Sequence, residues 1–217
     1  MSILSKKRNI LIFIFFLILI FVLNFKYIMI KYAYFFTVNQ YEVGADAIVV
    51  LSGSPSTRIP LAFDLTEEKF SNQILLTDTM PLNKNFGFKL YNSLDISKKI
   101  RDDRKSNEDI LKVPSLTGGA KSTFDEAQDI LRFSKEQNYK HIIIVTDFYH
   151  TRRALLAFNK IFKDSNIRID SAAAYNDIFN EKDWWESDLG ISTYIIEPVK
   201  LIVYFFTSGN SKYIKNY

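Results

Sequence analysis

The sequence predicts an α/β fold: a mostly parallel, doubly wound sheet with helices on both faces, preceded by one N-terminal transmembrane helix. Three observations carry this prediction. Short apolar runs rich in β-branched residues recur between residues 45 and 172, stretches of helical periodicity separate them, and an apolar run of 14 residues fills positions 10–23. Short buried strands alternating with helices imply parallel strands covered on both sides.

The chain has 217 residues, 47% hydrophobic and 24% charged, which suits one domain with a packed core. It has no cysteine, so a disulfide scaffold, thiol catalysis and Cys-ligated metal sites are excluded. With 2 histidines there is little room for a His-rich centre, and no metal site is assigned. The net charge is +4. Residues 1–44 hold five bases (Lys6, Lys7, Arg8, Lys26, Lys31) against Glu42, leaving 23 bases and 23 acids in the remainder. A neutral body gives no footprint for nucleic acid.

Residues 10–30 contain only Asn24 and Lys26 as polar members. A helix needs about 20 residues to cross a bilayer, and Lys26 lies near enough to one end to snorkel. Tyr27, Tyr32, Tyr34, Phe35 and Phe36 follow as interfacial aromatics. A cleaved signal peptide is the alternative, but no small-x-small site follows until Ala45-Asp46-Ala47. Lys6 to Arg8 set the N-terminus in the cytoplasm and the bulk outside, at the inner or plasma membrane. The expected organisation is a tip and anchor over 1–36, a linker over 37–44, the α/β domain over 45–206 and a tail over 207–217.

The elements follow in order. Residues 45–51 read as a buried strand ended by Ser52-Gly53-Ser54-Pro55, then a helix over 58–70 and a strand over 73–77. Residues 80–112, rich in Lys, Asn and Asp, form a long excursion with one or two helices. A short strand is expected at 113–116. Ser122 or Thr123 then caps a helix to about 137, since Ser122-x-x-Asp125 and Thr123-x-x-Glu126 both resemble capping boxes. A strand over 141–146, a helix over 149–162 and a strand over 167–172 complete the alternation. Residues 189–206 form a last helix, interrupted by Pro198; Glu197 and Lys200 make it a poor span, and it is expected to lie on the sheet.

In such sheets ligands bind beyond the carboxyl ends of the strands. The polar residues there are Ser52, Gly53, Ser54 and Arg58; Thr77 and Asp78; Ser122 and Thr123; and Asp147 and His150. His150 and Arg153 share a face of the first helical turn, where free N–H groups and the macrodipole favour an anion. Two arginines, hydroxyls and glycine amides make a phosphate or carboxylate pocket. Glu197 and Lys200, at same-face spacing, read as a surface ion pair.

Four blocks resemble the YdcF-like family, which includes SanA- and ElyC-type bacterial envelope proteins. They are 45–58 (ADAIVVLSGSPSTR), 121–127 (KSTFDEA), 142–154 (IIIVTDFYHTRRA), and Trp184-Trp185 followed by Glu197-x-x-Lys200. Their order and spacing agree over roughly residues 44–206. The resemblance implies a site from Gly53, Arg58, Thr123, Glu126, His150 and Arg153. The chain departs from the pattern at Ser52-Gly53-Ser54, where the family runs glycines together, at Thr77-Asp78-Thr79, and at Ala120.

These readings lead to a membrane-anchored factor of envelope biogenesis or barrier maintenance that binds a phosphate-bearing or anionic small molecule. Arg58 and Arg153 are expected to clamp the anion. If a phosphoester is cleaved, His150 acts as general acid/base and Glu126 orients a partner or accepts a proton. No cofactor is assigned. The alternatives are a non-catalytic sensor or scaffold using the same pocket, and a transferase binding S-adenosylmethionine or a nucleotide; the absence of Gly-x-Gly-x-x-Gly weakens a dinucleotide reading.

Overall fold

The fold is taken from a computed structural model, which describes residues 3–78 and 92–207. Two helices open the chain, α1 (Ile3–Leu23) and α2 (Phe25–Tyr34). Then come β1 (Ala47–Val50), α3 (Pro55–Glu67), β2 (Gln73–Thr77), α4 (Ser93–Arg104) and β3 (Asp109–Val113). They are followed by α5 (Thr123–Glu136), β4 (His141–Asp147), α6 (Thr151–Ile161), β5 (Arg168–Ala174) and α7 (Asp188–Phe206). Short 3-10 turns at Phe148–His150 and Trp184–Glu186 lead into α6 and α7.

All strand pairs are parallel, in the order β3-β2-β1-β4-β5. Alternation of side chains divides the core in two. Ile48 and Val50 face Ile59, Ala62 and Phe63 of α3, while Ala47 and Val49 face Ala127 and Ile130 of α5 and Ala154 and Phe158 of α6. Helices therefore cover both faces, which is why β1 and β4 are nearly unbroken apolar sequence.

The third strand is a correction. It lies at Asp109–Val113 rather than 113–116, because β3 is an edge strand whose residues are mostly exposed and need no apolar run. Residues 79–91 of the expected excursion lie outside the described residues, as does the tail from 208. The α3 helix starts at Pro55, whose fixed φ and missing N–H suit the first turn.

The segment 37–44 runs along β5. Gln40 and Ser171 exchange backbone hydrogen bonds of 2.9 and 3.0 Å, and Asn39 Oδ1 accepts from the Ala173 amide at 3.0 Å.

Three helices matter for the membrane expectation. Among the described residues, α7 is an unbroken helix long and apolar enough to cross a membrane. The N-terminal helices pass that test only together, from Asn9 to Tyr34, as a pair bent by 70°. The straight span expected there is broken at Asn24, whose side chain donates to the Ile20 carbonyl at 2.8 Å alongside its own backbone amide.

The α7 expectation is also corrected: it packs on α6 and on the turns beside the strand ends, not on the sheet. Tyr204 stacks on Phe124 at 4.7 Å, and Tyr194 joins Tyr32, Phe36, Phe148, Phe179 and Trp184 in an aromatic core. Pro198 does not interrupt the helix. It removes the amide that would bond the Tyr194 carbonyl. That carbonyl accepts instead from the Tyr32 hydroxyl of α2 at 2.5 Å. The imperfection in α7 is thus the attachment point of α2.

Candidate functional site

The strand order reverses between β1 and β4. The chain leaves β1 towards α3 on one face and β4 towards α6 on the other, so a crevice opens between their carboxyl ends. It holds a cavity of about 400 Å³. One wall is Gly53, Ser54, Arg58, Asp147, Tyr149, His150 and Arg153; the other is the α7 face carrying Ser192, Thr193, Ile196, Glu197 and Lys200.

Arg58 and Asp147 form a lock between the β1 loop and the end of β4. Arg58 Nη2 and Nε donate to the two Asp147 carboxylate oxygens at 2.6 and 3.2 Å. Arg58 Nη1 donates to the Leu51 carbonyl at 3.0 Å and to the Ser52 carbonyl. Four of the five guanidinium N–H donors therefore end on protein acceptors. Asp147 also accepts from Ser54 Oγ at 3.0 Å and Tyr149 Oη at 2.9 Å. Burial opposes its charge, but Arg58, Tyr149 and Ser54 outweigh that and hold its carboxyl below the usual value. Gly53 lies flat on this guanidinium: at φ +132° its backbone is one that side chains rarely adopt, and a Cβ would stand 2.7 Å from Arg58 Nη2.

Glu126 lies beneath this loop and does not line the cavity. Its Oε1 accepts from the Ser52 amide at 2.8 Å, Ser52 Oγ at 2.7 Å and Thr77 Oγ1 at 2.6 Å. It thus ties the ends of β1 and β2 to α5. Ser122 caps α5 by accepting from the Asp125 amide at 3.3 Å. Asp78 pairs with Lys112 of β3 at 2.7 Å. Ser52, Thr77, Asp78, Ser122 and Glu126 therefore shape the loops behind the cavity.

The opposite side is differently built. Arg153 donates from Nε and Nη2 to the Glu197 carboxylate at 2.6 and 3.2 Å and stacks over Tyr204 at 4.9 Å. Two of its five donors are used on Glu197, and the group borders the cavity. Burial pushes the Glu197 carboxyl up, against the pull of Arg153. His150 is 8% exposed. Its Nε2 lies 3.5 Å from Thr123 Oγ1, and its Nδ1 has no hydrogen-bond partner among the described residues, with Glu197 Oε1 at 3.8 Å. Burial first, then the charges of Arg153, Arg58 and Lys200, hold its pKa well below the usual value. The imidazole is neutral at physiological pH and can accept a proton.

The cavity wall carries three fixed cations, Arg58, Arg153 and Lys200, against Asp147 and Glu197. The excess positive charge belongs to Lys200, which is exposed at the rim. Among the described residues no group of three or more His, Asp or Glu is placed to hold a metal ion.

Of the residues singled out in the sequence, the fold brings Gly53, Ser54, Arg58, Asp147, His150 and Arg153 onto one cavity, with Thr123 against His150. Tyr149, Ser192, Thr193 and Ile196 were not foreseen; no spacing in the sequence sends α7 across the strand ends. Glu197 and Lys200 entered as a resemblance block and as a surface ion pair but not as site residues, whereas Glu197 is buried against Arg153 and Lys200 faces the cavity. No protein-family model matches this chain, and no curated protein matches its sequence.

Proposed function

We propose that this chain is a membrane-anchored protein of the bacterial cell envelope, of the YdcF-like kind, whose β1/β4 cavity binds a phosphate-bearing or otherwise anionic small molecule. The anchor is α1, with the N-terminus in the cytoplasm and the domain outside, as Lys6 to Arg8 favour. The role is envelope biogenesis or maintenance of the barrier.

The observation that supports this most is the convergence of Arg153, Lys200 and a neutral His150 on a cavity beside the Gly53-Ser54 loop. The binding pair is Arg153 and Lys200. Arg153 has donors beyond those spent on Glu197, and Lys200 supplies the net charge. Arg58 acts behind them, holding the loop through Asp147. If the ligand is a phosphoester, water attacks phosphorus as the ester P–O bond breaks, His150 takes the water's proton and passes it to the departing alkoxide, and Thr193 is a donor for the phosphoryl oxygens.

The test is a thermal-shift screen of the full chain in detergent against inorganic phosphate, an isoprenyl phosphate, a sugar nucleotide and S-adenosylmethionine. A phosphate-bearing compound raises the melting point with concentration. A shift with S-adenosylmethionine alone replaces this reading with a transferase. For any phosphoester that binds, turnover lost in His150→Ala with binding kept makes the protein an enzyme; binding without turnover in either form makes it a sensor.

A further inference from the structure

The helix that closes the cavity also carries a row of exposed hydrophobic side chains. Gly190, Tyr194, Glu197 and Tyr204 of α7 are buried against the domain, one stripe along its whole length. The other side is exposed and apolar: Ile195 at 62%, Val199 at 61%, Ile202 at 58% and Phe206 at 81%, with Leu189 and Val203 beside them. Single exposed hydrophobics need no explanation, but a contiguous face of this length does.

Three observations identify what covers it. First, the buried side of α7 and the turn leading into it are tied to the N-terminal helices: Tyr32 of α2 bonds the Tyr194 carbonyl, Trp184 Nε1 donates to the Met29 carbonyl at 3.2 Å, and Phe25 packs edge-on against Trp185 at 5.8 Å. Second, α1 leaves this junction as an exposed apolar helix. With α1 along a membrane normal, the 70° bend lays α2 close to the membrane plane, and the α7 junction with it. Third, Lys200 of α7 is exposed at the cavity rim, and a lysine stem can lie along apolar surface with its ammonium among headgroups. Crossing the bilayer is excluded by packing, because the buried stripe and the Arg153–Glu197 pair hold α7 to the domain.

We infer that the exposed face of α7 lies in the membrane surface, with Ile195, Val199, Ile202 and Phe206 among the outer acyl chains and the cavity mouth opening beside the headgroups. An amphipathic helix in this position sinks about 5–10 Å into the boundary. Ile196 joins the two features, since it is half-exposed on α7 and also lines the cavity. The inference rests on the reading that α1 inserts in the membrane.

The absence of cysteine makes the test clean. The full chain is reconstituted in vesicles of phosphatidylethanolamine and phosphatidylglycerol with an environment-sensitive fluorophore on a single cysteine. The variants are Leu17→Cys on α1, Val199→Cys on α7 and Lys98→Cys on α4 as the water-exposed reference. Lipids carrying a nitroxide near the headgroup are expected to quench the Val199 label at least twofold more than the Lys98 label, and a deeper nitroxide to quench the Leu17 label. Quenching at position 17 with position 199 no different from position 98 overturns the inference and leaves the anchor standing. No quenching at 17 or 199 overturns both. Protection of the Val199 label from water and from lipid nitroxide, with self-quenching relieved by unlabelled protein, assigns the face to a second copy and also overturns it.

Discussion

Arg58 and Arg153 stand on the same cavity, each buried and each in a close pair with a carboxylate at 2.6 Å. They nevertheless do different things. Arg58 spends four of five donors on Asp147 and two loop carbonyls, whereas Arg153 spends two on Glu197 and keeps the rest beside the cavity. Charge and burial alone do not separate a lock from a ligand-binding group; the donor inventory does. The β1 loop is fixed, and the proposed anion site is on the α6–α7 side, where Arg153 has N–H groups with no hydrogen-bond partner among the described residues.

The comparison breaks first at the lock. Removing one member of a buried pair leaves the other charge uncompensated, which costs about 3–5 kcal/mol. Asp147→Ala should lose stability on that scale in denaturant titration; a loss near zero would mean that Arg58 has solvent or another partner. Behind it, Glu126→Ala removes an acceptor shared by three donors at the Ser52 loop, of which the Ser52 amide keeps Thr77 Oγ1 at 2.9 Å, and should cost about 2 kcal/mol, since hydrogen bonds to a charged group contribute about 1.5–3 kcal/mol each and are not additive. Glu126→Gln keeps an acceptor oxygen and should recover most of the loss.

The third effect is on pH. His150 has its folded pKa well below its ordinary 6.5, so the unfolded chain binds more protons below that pH. Stability therefore falls as pH drops through about 6.5. Glu197, raised above its ordinary 4.5, acts in the opposite sense, stabilising as pH falls through its folded pKa. The melting point of His150→Gln should fall less than that of the natural chain between pH 7 and pH 5. An unchanged slope would place the titrating group elsewhere.

The smaller effects lie at the rim and at the contact between α2 and α7. Lys200→Ala should weaken binding of a phosphate ligand about tenfold, equivalent to about 1.4 kcal/mol, with little change in melting point because the side chain is exposed. Tyr32→Phe removes the hydroxyl that satisfies the Tyr194 carbonyl and should cost about 1 kcal/mol.

Much of the fold was legible because its signal is local. The strand at 73–77 matches β2, and the Ser122 cap marks the start of α5. The edge strand β3 was misplaced because exposure removes the apolar pattern on which such readings depend. The first wall of the site was legible too, since strand ends in a parallel sheet must share one rim. The second wall was not. Glu197 finds Arg153 forty-four positions away, and Pro198 reads as a helix breaker until Tyr32 is seen to take the carbonyl it frees. Both depend on where α7 docks, which no spacing within the helix encodes.

The proposed anion site at Arg153 and Lys200 is tested most directly by calorimetric titration of the full chain in detergent with farnesyl phosphate. The natural chain should bind at one saturable site, Lys200→Ala and Arg153→Lys each about tenfold more weakly, and Lys98→Ala on α4 unchanged. Equal affinity in all four proteins, or no saturable binding in the natural chain, would contradict an anion site at this rim.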